Sequence, residues 1–529
     1  MDRERVLVEV VHRVSGRLGE DAQAVEAAIY DTLYEERRRL ETERDRELAR
    51  RQAATYERIY AEAQRASPDR QRVLLQELIR GFAQEVAGHF DPRIHAVATQ
   101  VIPRALNVLL NAASPLRLLS ALPSGFSGFE DQIQLEGEVD ALRAVAALGT
   151  VVVVPTHLSN LDSLVIGYAL HRVGLPPFIY GAGLNLFHNR LIGFFMNHLG
   201  AYRVDRRKKA ALYKDVLKTY AACTLEAGHH NLFFPGGTRS RSGGVERKLK
   251  LGLLGTGLEA YAHNLVKGAA RPDVFVVPCT LNYQLVLEAE TLIGDHLQEA
   301  GKSRYIIEDD EFSQPRRILD FVEKALSLDS RIHVVFSRPL DVFGNPVAPD
   351  DGTSLDPRGR RIDRARYLLD AAGRPAPDPQ RDAEYTRELA GAVVAAYARD
   401  TVLSSTHALC RVMFALLRER NPGVNPYRLL RTGGREPSFP AVEVHERTAR
   451  LLEGLRRAAA AGQVRLDDTL RDRDAGAVVA SALAHLASYH RRPAVVRRGD
   501  RLFHEDRNLL LYYQARIDSL GLEAGRVAA

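Results

Sequence analysis

The sequence predicts an α/β fold: a mixed sheet with crossover helices, flanked by helical regions at both ends. Three observations predict it. Between residues 140 and 345, short β-branched runs alternate with helical periodicity, the pattern of strands joined by crossover helices. The first 90 or so residues are helical and highly charged, and from Ala383 onward the chain is helical again. At 529 residues the chain is too long for one simple core, while 45% hydrophobic content is ample to bury several layers.

Each region has its own reading. Residues 1–90 include "YDTLYEERRRLETERDRELARRQAATYERIYAEAQRA", a charge run expected to keep most of its face in water. Residues 91–139 contain the apolar stretch Ile94 to Phe129, interrupted by Arg104 and Arg117. It reads either as an in-plane membrane helix, with Leu109, Leu110, Leu118 and Leu119 at the acyl boundary, or as a helix packed on the catalytic domain. Residues 140–345 supply the expected strands "TVVVVP", "FIYGAG", "AYRVDR", "NLFFPG", "VFVVPCTLNY" and "IHVVFSRPL". Residues 346–382 are rich in Pro, Gly, Arg and Asp and read as an ordered loop or linker. Residues 383–529 form the second helical region.

Bulk properties narrow the function classes. A formal charge of +6, carried mostly by arginine, suits anionic lipid or phosphorylated substrates, and no short cationic tract marks a nucleic-acid arm. The cysteines Cys223, Cys279 and Cys410 are far apart and form no CxxC, which argues against a disulfide framework or a zinc site and for a reducing compartment. The N-terminus is charged from residue 2 and does not read as a signal peptide. No apolar run approaches the ~18–20 residues of a spanning helix, so a membrane-bound form is expected to lie on the bilayer.

The chemistry begins in "VVVVPTHLSNLDSLVIGYAL", Val151 to Leu170. On a regular helix His157 and Asp162 would be rotated by about 140° from each other, so they meet only if His157 precedes the helix and the turn folds it back. Ser159 as N-cap and Asp162 three residues later form a capping box, which explains both without catalysis. With 17 histidines in the chain, a His-x4-Asp spacing alone is weak. The cap leaves the histidine itself unexplained, however, at the carboxyl end of a strand, where open α/β sheets bind ligands. There a carboxylate could fix the imidazole tautomer, and His157 could take a proton from an attacking hydroxyl.

Three further blocks follow in order. "LGAYRVDRRKK" places Arg203, Arg206 and Arg207 at a strand end. "NLFFPGGTRSRSGG" runs a strand into a Gly/Ser/Arg loop whose amides, with Arg239 and Arg241, suit a phosphate. "VFVVPCTLNYQLVLE" is a buried strand ended by a polar turn. Surface charge and ordinary turns would account for each block singly.

Together the blocks resemble the four ordered motifs of the glycerolipid acyltransferase family, most closely its bacterial membrane-associated glycerol-3-phosphate acyltransferases. Motif one falls on His157 and Asp162, motif two on Gly200 to Arg206, motif three on Phe234 to Arg241 and motif four on Val276 to Pro278. Ala182 to Leu186 resembles that subfamily's Ala-Gly-x-Asn-Leu, Tyr283 and Glu288 match its next segment, and "HEDRNLLLYYQARI" resembles its closing helix. The resemblance implies the family's catalytic fold and an acyl thioester donor, of coenzyme A or acyl carrier protein, with no metal and no tightly bound cofactor. It implies His157 as general base, Asp162 orienting it, direct attack without an acyl-enzyme, and Arg206, Gly237 and Arg239 holding the acceptor phosphate. Arg203, Arg241 and Pro278 fall within the same motifs as substrate-binding positions. The implied setting is the cytoplasmic side of the cell membrane, peripheral or monotopic, with an anionic surface as partner and no nucleic acid.

Two departures bear on the acceptor. Gly236 stands where motif three carries a glutamate, and motif two reads Asp205–Arg206 in place of an arginine pair, with Arg203 replacing an apolar residue. Glycerol 3-phosphate is the expected acceptor, with 1-acylglycerol 3-phosphate as the alternative. From another class comes a catalytically impaired membrane-docked scaffold or lipid-binding protein, which Gly236 motivates and the intact His157 and Asp162 oppose.

Overall fold

The structure, a computed structural model, describes residues 3–19, 21–43, 45–88, 132–183, 200–300 and 330–521. The Ile94–Phe129 segment and Leu184 to Leu186 lie outside the described residues. Among those described, no helix is long and apolar enough to cross a membrane.

Four helices open the chain: α1 (Arg3–Leu18), α2 (Ala22–Glu41), α3 (Arg46–Ala63) and α4 (Pro68–Val86). Asp21, Asp45 and Ser67 cap α2, α3 and α4 with their side chains, and Pro68 sits at the first turn of α4, where its missing N–H costs nothing. Their apolar stripes, including Val10, Leu74, Ile79 and Phe82, pack on Tyr202, Tyr213 and Tyr220 of the sheet region. Most of the charge run is exposed to water, as expected, but Glu36, Arg39 and Glu43 are buried. Glu36 is fully buried; Lys208 donates to it at 2.9 Å and reaches Glu85 at 2.8 Å, while Arg39 bonds Glu36 and Glu43. The partners of these charges lie as far as 172 residues away, so no local pattern reveals the pairing.

Seven strands form the central sheet: β1 (Ile133–Gly137), β2 (Thr150–Pro155), β3 (Ile179–Gly183), β4 (Ala201–Val204), β5 (Asn231–Leu232), β6 (Val274–Tyr283) and β7 (Ile332–Phe336). Their order is β1-β7-β6-β2-β5-β3-β4. All neighbours run parallel except β6 and β7, so the sheet is mixed. Every residue of β2 and β6 is buried, which is why both read as continuous apolar runs and not as alternations. The second Phe of "NLFFPG" leaves the ladder because the chain turns there before Pro235, and β5 keeps two residues. β1 was not foreseen: "IQLEG" carries no β-branched block, and only its first residue is buried.

Helices α5 (Val139–Leu148), α6 (Asp162–Arg172), α7 (Ala211–Glu226) and α8 (Thr256–Val266) flank the sheet. One face of the sheet, through Val151, Val153, Phe275 and Val277, shares a core with Ile166 and Leu170 of α6. Leu409, Met413, Leu509 and Tyr513 of the C-terminal helices belong to the same core, so the second helical region completes the packing of the sheet. The other face, through Val152, Val154 and Val276, meets Leu258, Leu389 and Tyr397. Residues 346–382 are ordered against it: Ser354–Leu355 pairs with Arg361–Ile362, and buried Arg364 bonds Asp273 with its guanidinium 5.3 Å above the Phe275 ring.

Candidate active site

The site is built at the carboxyl end of β2. Thr156 N–H donates to Cys279 O at 2.9 Å and Thr156 Oγ1 accepts from Leu281 N–H at 3.0 Å, so the exit of β2 is pinned to β6 on both sides. His157 follows on this fixed backbone, ahead of α6. The helix starts at Asp162 with Leu161 as its cap residue, not at the Ser159 cap expected. Only half of the capping box forms. Asp162 Oδ2 accepts from Ser159 N–H at 2.9 Å, but the Ser159 hydroxyl donates to Glu288 at 2.7 Å.

That turn wraps the Asp162 carboxylate, which is fully buried. Oδ2 accepts from Leu158 N–H at 2.6 Å and lies 2.8 Å from His157 Nδ1; Oδ1 accepts from the Tyr283 hydroxyl at 2.6 Å. One carboxylate thus starts the helix and aims the ring, and with Nδ1 held, Nε2 is the nitrogen left to exchange a proton. The imidazole stacks on Phe234 at 4.2 Å between centroids, and its side chain keeps 14% of its surface exposed. Burial pulls its proton affinity below the usual histidine range; Asp162 opposes this, and the positive charges of Arg239 and Arg206 add to it. A neutral imidazole at pH 7 can accept a proton.

The Gly/Ser/Arg loop crosses beside the histidine, with Ser240 N–H donating to His157 O at 2.7 Å. Arg239 lies 3.3 Å from Glu288 Oε1, and the same oxygen accepts from Asn160 N–H, which ties the loop to the His157 turn. Partial desolvation, then the charges of Arg241 and Arg239, weaken the hold of Arg206 on its proton, while Arg241 itself pairs with Glu299. Such a cluster favours a dianionic ligand. Arg203 is exposed on edge strand β4, where its carbonyl accepts from the Tyr213 hydroxyl. Arg207 pairs with Asp205 and with Glu43, which lies between α2 and α3.

Two predicted contacts are revised. Gly237 adopts φ +78° and its N–H donates to Phe234 O at 3.1 Å, so it closes the turn and its amide is not offered to a phosphate. Pro278 is buried within β6, paired in register with Val154, and its carbonyl accepts from Ser337 N–H at 2.9 Å. Among the described residues, no group of three or more His, Cys, Asp or Glu side chains is placed to hold a metal ion.

Two participants escaped sequence reasoning. Glu246 Oε1 accepts from His157 N–H at 2.8 Å. Arg516, on the closing helix Arg507–Asp518, is buried and donates to Leu281 O and Asn282 Oδ1 at 3.3 Å, where its charge acts on Glu246 and Asp162. The available signal was an arginine on the apolar face of "LLLYYQARI"; Glu246 sits in an ordinary charge run, "VERKLK", which carries none.

Part of this chain is similar to known proteins. A family model described as Acyltransferase matches residues 137–282. A protein of Pseudomonas paraeruginosa named glycerol-3-phosphate acyltransferase is 33% identical over 252 residues, 44% of this chain and 28% of the relative. One of the same name from Ectopseudomonas mendocina is 34% identical over 174 residues, 32% of this chain and 20% of the relative. The matched stretch therefore spans less than a third of the length of these relatives.

Proposed function

From the premise that residues 137–282 form an acyltransferase domain, we propose that the protein moves a fatty acyl group from an acyl thioester, of coenzyme A or acyl carrier protein, to a hydroxyl of glycerol 3-phosphate. His157 Nε2 takes the hydroxyl proton while the oxygen attacks the thioester carbonyl. The tetrahedral intermediate collapses with cleavage of the C–S bond, and the proton passes from the imidazole to the departing thiolate. Asp162 holds the tautomer and stabilises the transient imidazolium. Arg206 and Arg239 take the acceptor phosphate, with Arg241 and Arg203 adding positive field.

One observation carries the reading: the 2.8 Å His157–Asp162 contact beside an arginine cluster. The positive charge of the chain and the Ile94–Phe129 sequence support a peripheral position on the cytoplasmic face of an anionic membrane. In the test, purified protein receives labelled acyl-CoA or acyl carrier protein thioester with glycerol 3-phosphate, then with its 1-acyl derivative, beside His157→Ala. Product with glycerol 3-phosphate and its loss in His157→Ala are expected. Turnover of the 1-acyl derivative alone would move the acceptor one step along, and no product with either would leave the scaffold reading.

A further inference from the structure

The carboxyl of Glu246 lies between the two segments that build the site. Its loop is closed at three points: Lys250 N–H donates to Pro235 O at 2.7 Å, Ser240 N–H to His157 O at 2.7 Å, and Val245 N–H to Ser519 Oγ at 2.9 Å. Inside that closure Oε1 takes the main-chain N–H of His157 at 2.8 Å, while Oε2 is shut from solvent with no hydrogen-bond partner among the described residues. Burial raises the carboxyl to about 8, against the pull of the His157 N–H and Arg516 and with a further push from Asp162. It therefore holds a proton at neutral pH, and a neutral acid can be shut away where a carboxylate would need a cation.

The space it fills is the one beside the α-carbon of Gly236. A Cβ built on Gly236 would stand 2.6 Å from Glu246 Oε2, 2.7 Å from Cδ and 3.0 Å from Oε1. Carbon does not approach that closely, so a side chain at 236 requires the end of the buried Glu246 side chain to move. Gly236 is one of the positions at which the sequence departs from the family it resembles. The carboxyl in that neighbourhood is delivered from ten residues further along the chain.

We propose that Glu246 is a positioning residue of the acyl-transfer site: it holds the main chain of His157 and fills the volume beside the Pro235–Gly237 turn, so that glycine at 236 and glutamate at 246 form an interlocked pair. The proposal rests on the acyl-transfer reading above. It makes the pair reciprocal. Installing a side chain at 236 displaces the Glu246 carboxyl, and removing the Glu246 side chain makes room for one.

The test compares Gly236→Glu, Glu246→Gln, Glu246→Ala and the double variant Gly236→Glu/Glu246→Ala, with acyl-CoA and glycerol 3-phosphate as probes. Glu246→Gln keeps an oxygen for the His157 N–H and should stay within about threefold of the parent kcat. Glu246→Ala and Gly236→Glu should each lose about tenfold or more in kcat, as expected when a base is displaced on the order of an ångström, with KM for acyl-CoA within about twofold. The double variant should regain activity over the Gly236→Glu single. Parent-like kcat in Glu246→Ala, a Gln variant as weak as the Ala variant, or losses that simply multiply in the double variant would overturn the proposal. The thermal midpoint supplies a readout independent of turnover: Gly236→Glu should lower it more in the parent protein than in the Glu246→Ala variant. Additive midpoint shifts would reject the interlock. A parent protein without acyl transfer would reject the functional reading instead, and the midpoint cycle would still decide the pair.

Discussion

Tyr283 and His157 grip the same carboxylate from opposite ends. The tyrosine hydroxyl donates to Asp162 Oδ1 at 2.6 Å, while Oδ2 holds the imidazole Nδ1 at 2.8 Å. Asp162→Asn should lower kcat by roughly 10²–10⁴, because an amide can present its N–H to the ring and favour the wrong tautomer. Tyr283→Phe leaves the aim partly intact and should cost stability, about 1–3 kcal/mol for a buried oxygen stripped of its donor. Steady-state kinetics beside urea unfolding separates the two, and undiminished kcat in Asp162→Asn would discredit the pair.

The pH profile carries the next prediction. His157 is held below its usual value of 6.5, first by burial. The acid limb of kcat/KM should therefore fall below that value, since activity needs the neutral ring. Arg206 is one of the charges that depress it, so Arg206→Gln should move the limb upward, whatever it does to acceptor KM. A limb that stays fixed in the variant would detach Arg206 from the base.

Stability should follow two other histidines. Burial, aided by Arg271 and His229, brings His230 down to about 4; burial and Arg516 bring His407 down to about 3. His230 Nδ1 accepts from Val151 N–H at 3.0 Å and must be unprotonated to do so. Both folded values lie below the unfolded one of ~6.5, so the unfolded chain binds more protons in between. The stabilisation from these neutral rings is present above about 6.5 and is lost as pH falls toward 4 and then 3. Urea midpoints at pH 7 and pH 5 check the sign, and a higher midpoint at pH 5 would contradict it.

Arg516 ties the closing helix to the active centre. Arg516→Met removes the donor to Leu281 O and Asn282 Oδ1 and a cation whose field acts on Glu246 and Asp162. It should destabilise by about 2–4 kcal/mol, the range for breaking a buried charge arrangement on one side. Arg516→Lys should restore part of the loss. Unfolding free energies indistinguishable from the parent would make the closing helix a mere cover.

The N-terminal helices dock through Lys208. Lys208→Met strands the buried Glu36 with Arg39 and should cost about 3–5 kcal/mol. The double variant with Glu36→Gln should lose less than Lys208→Met by itself, because no uncompensated carboxylate remains. Additive losses would place the attachment in the apolar contacts of α1 and α4.

For Ile94–Phe129 the expectation rests on sequence. Replacing Leu109 and Leu119 with glutamate should shift the protein from anionic liposomes to the supernatant in a flotation assay. Unchanged flotation favours the alternative of a packed helix.

By itself the sequence determined the alternating catalytic region, the strands β2 to β7, and the order of its motifs, because those features are written in neighbouring residues. Buried β-branched runs, a turn proline and a His-x4-Asp spacing are local. It also implied that Asp162 could serve helix and ring at once, since both depend on one turn. Tertiary structure alone decided the rest. Glu36 lies inside because Lys208 meets it from 172 residues away, and Arg516 enters the centre from the far end of the chain. Gly236 looks like a lost carboxylate when read along the chain; through space it is the clearance that Glu246 requires. Volume exclusion and ion pairing act between atoms that the fold brings together, and sequence neighbours record neither.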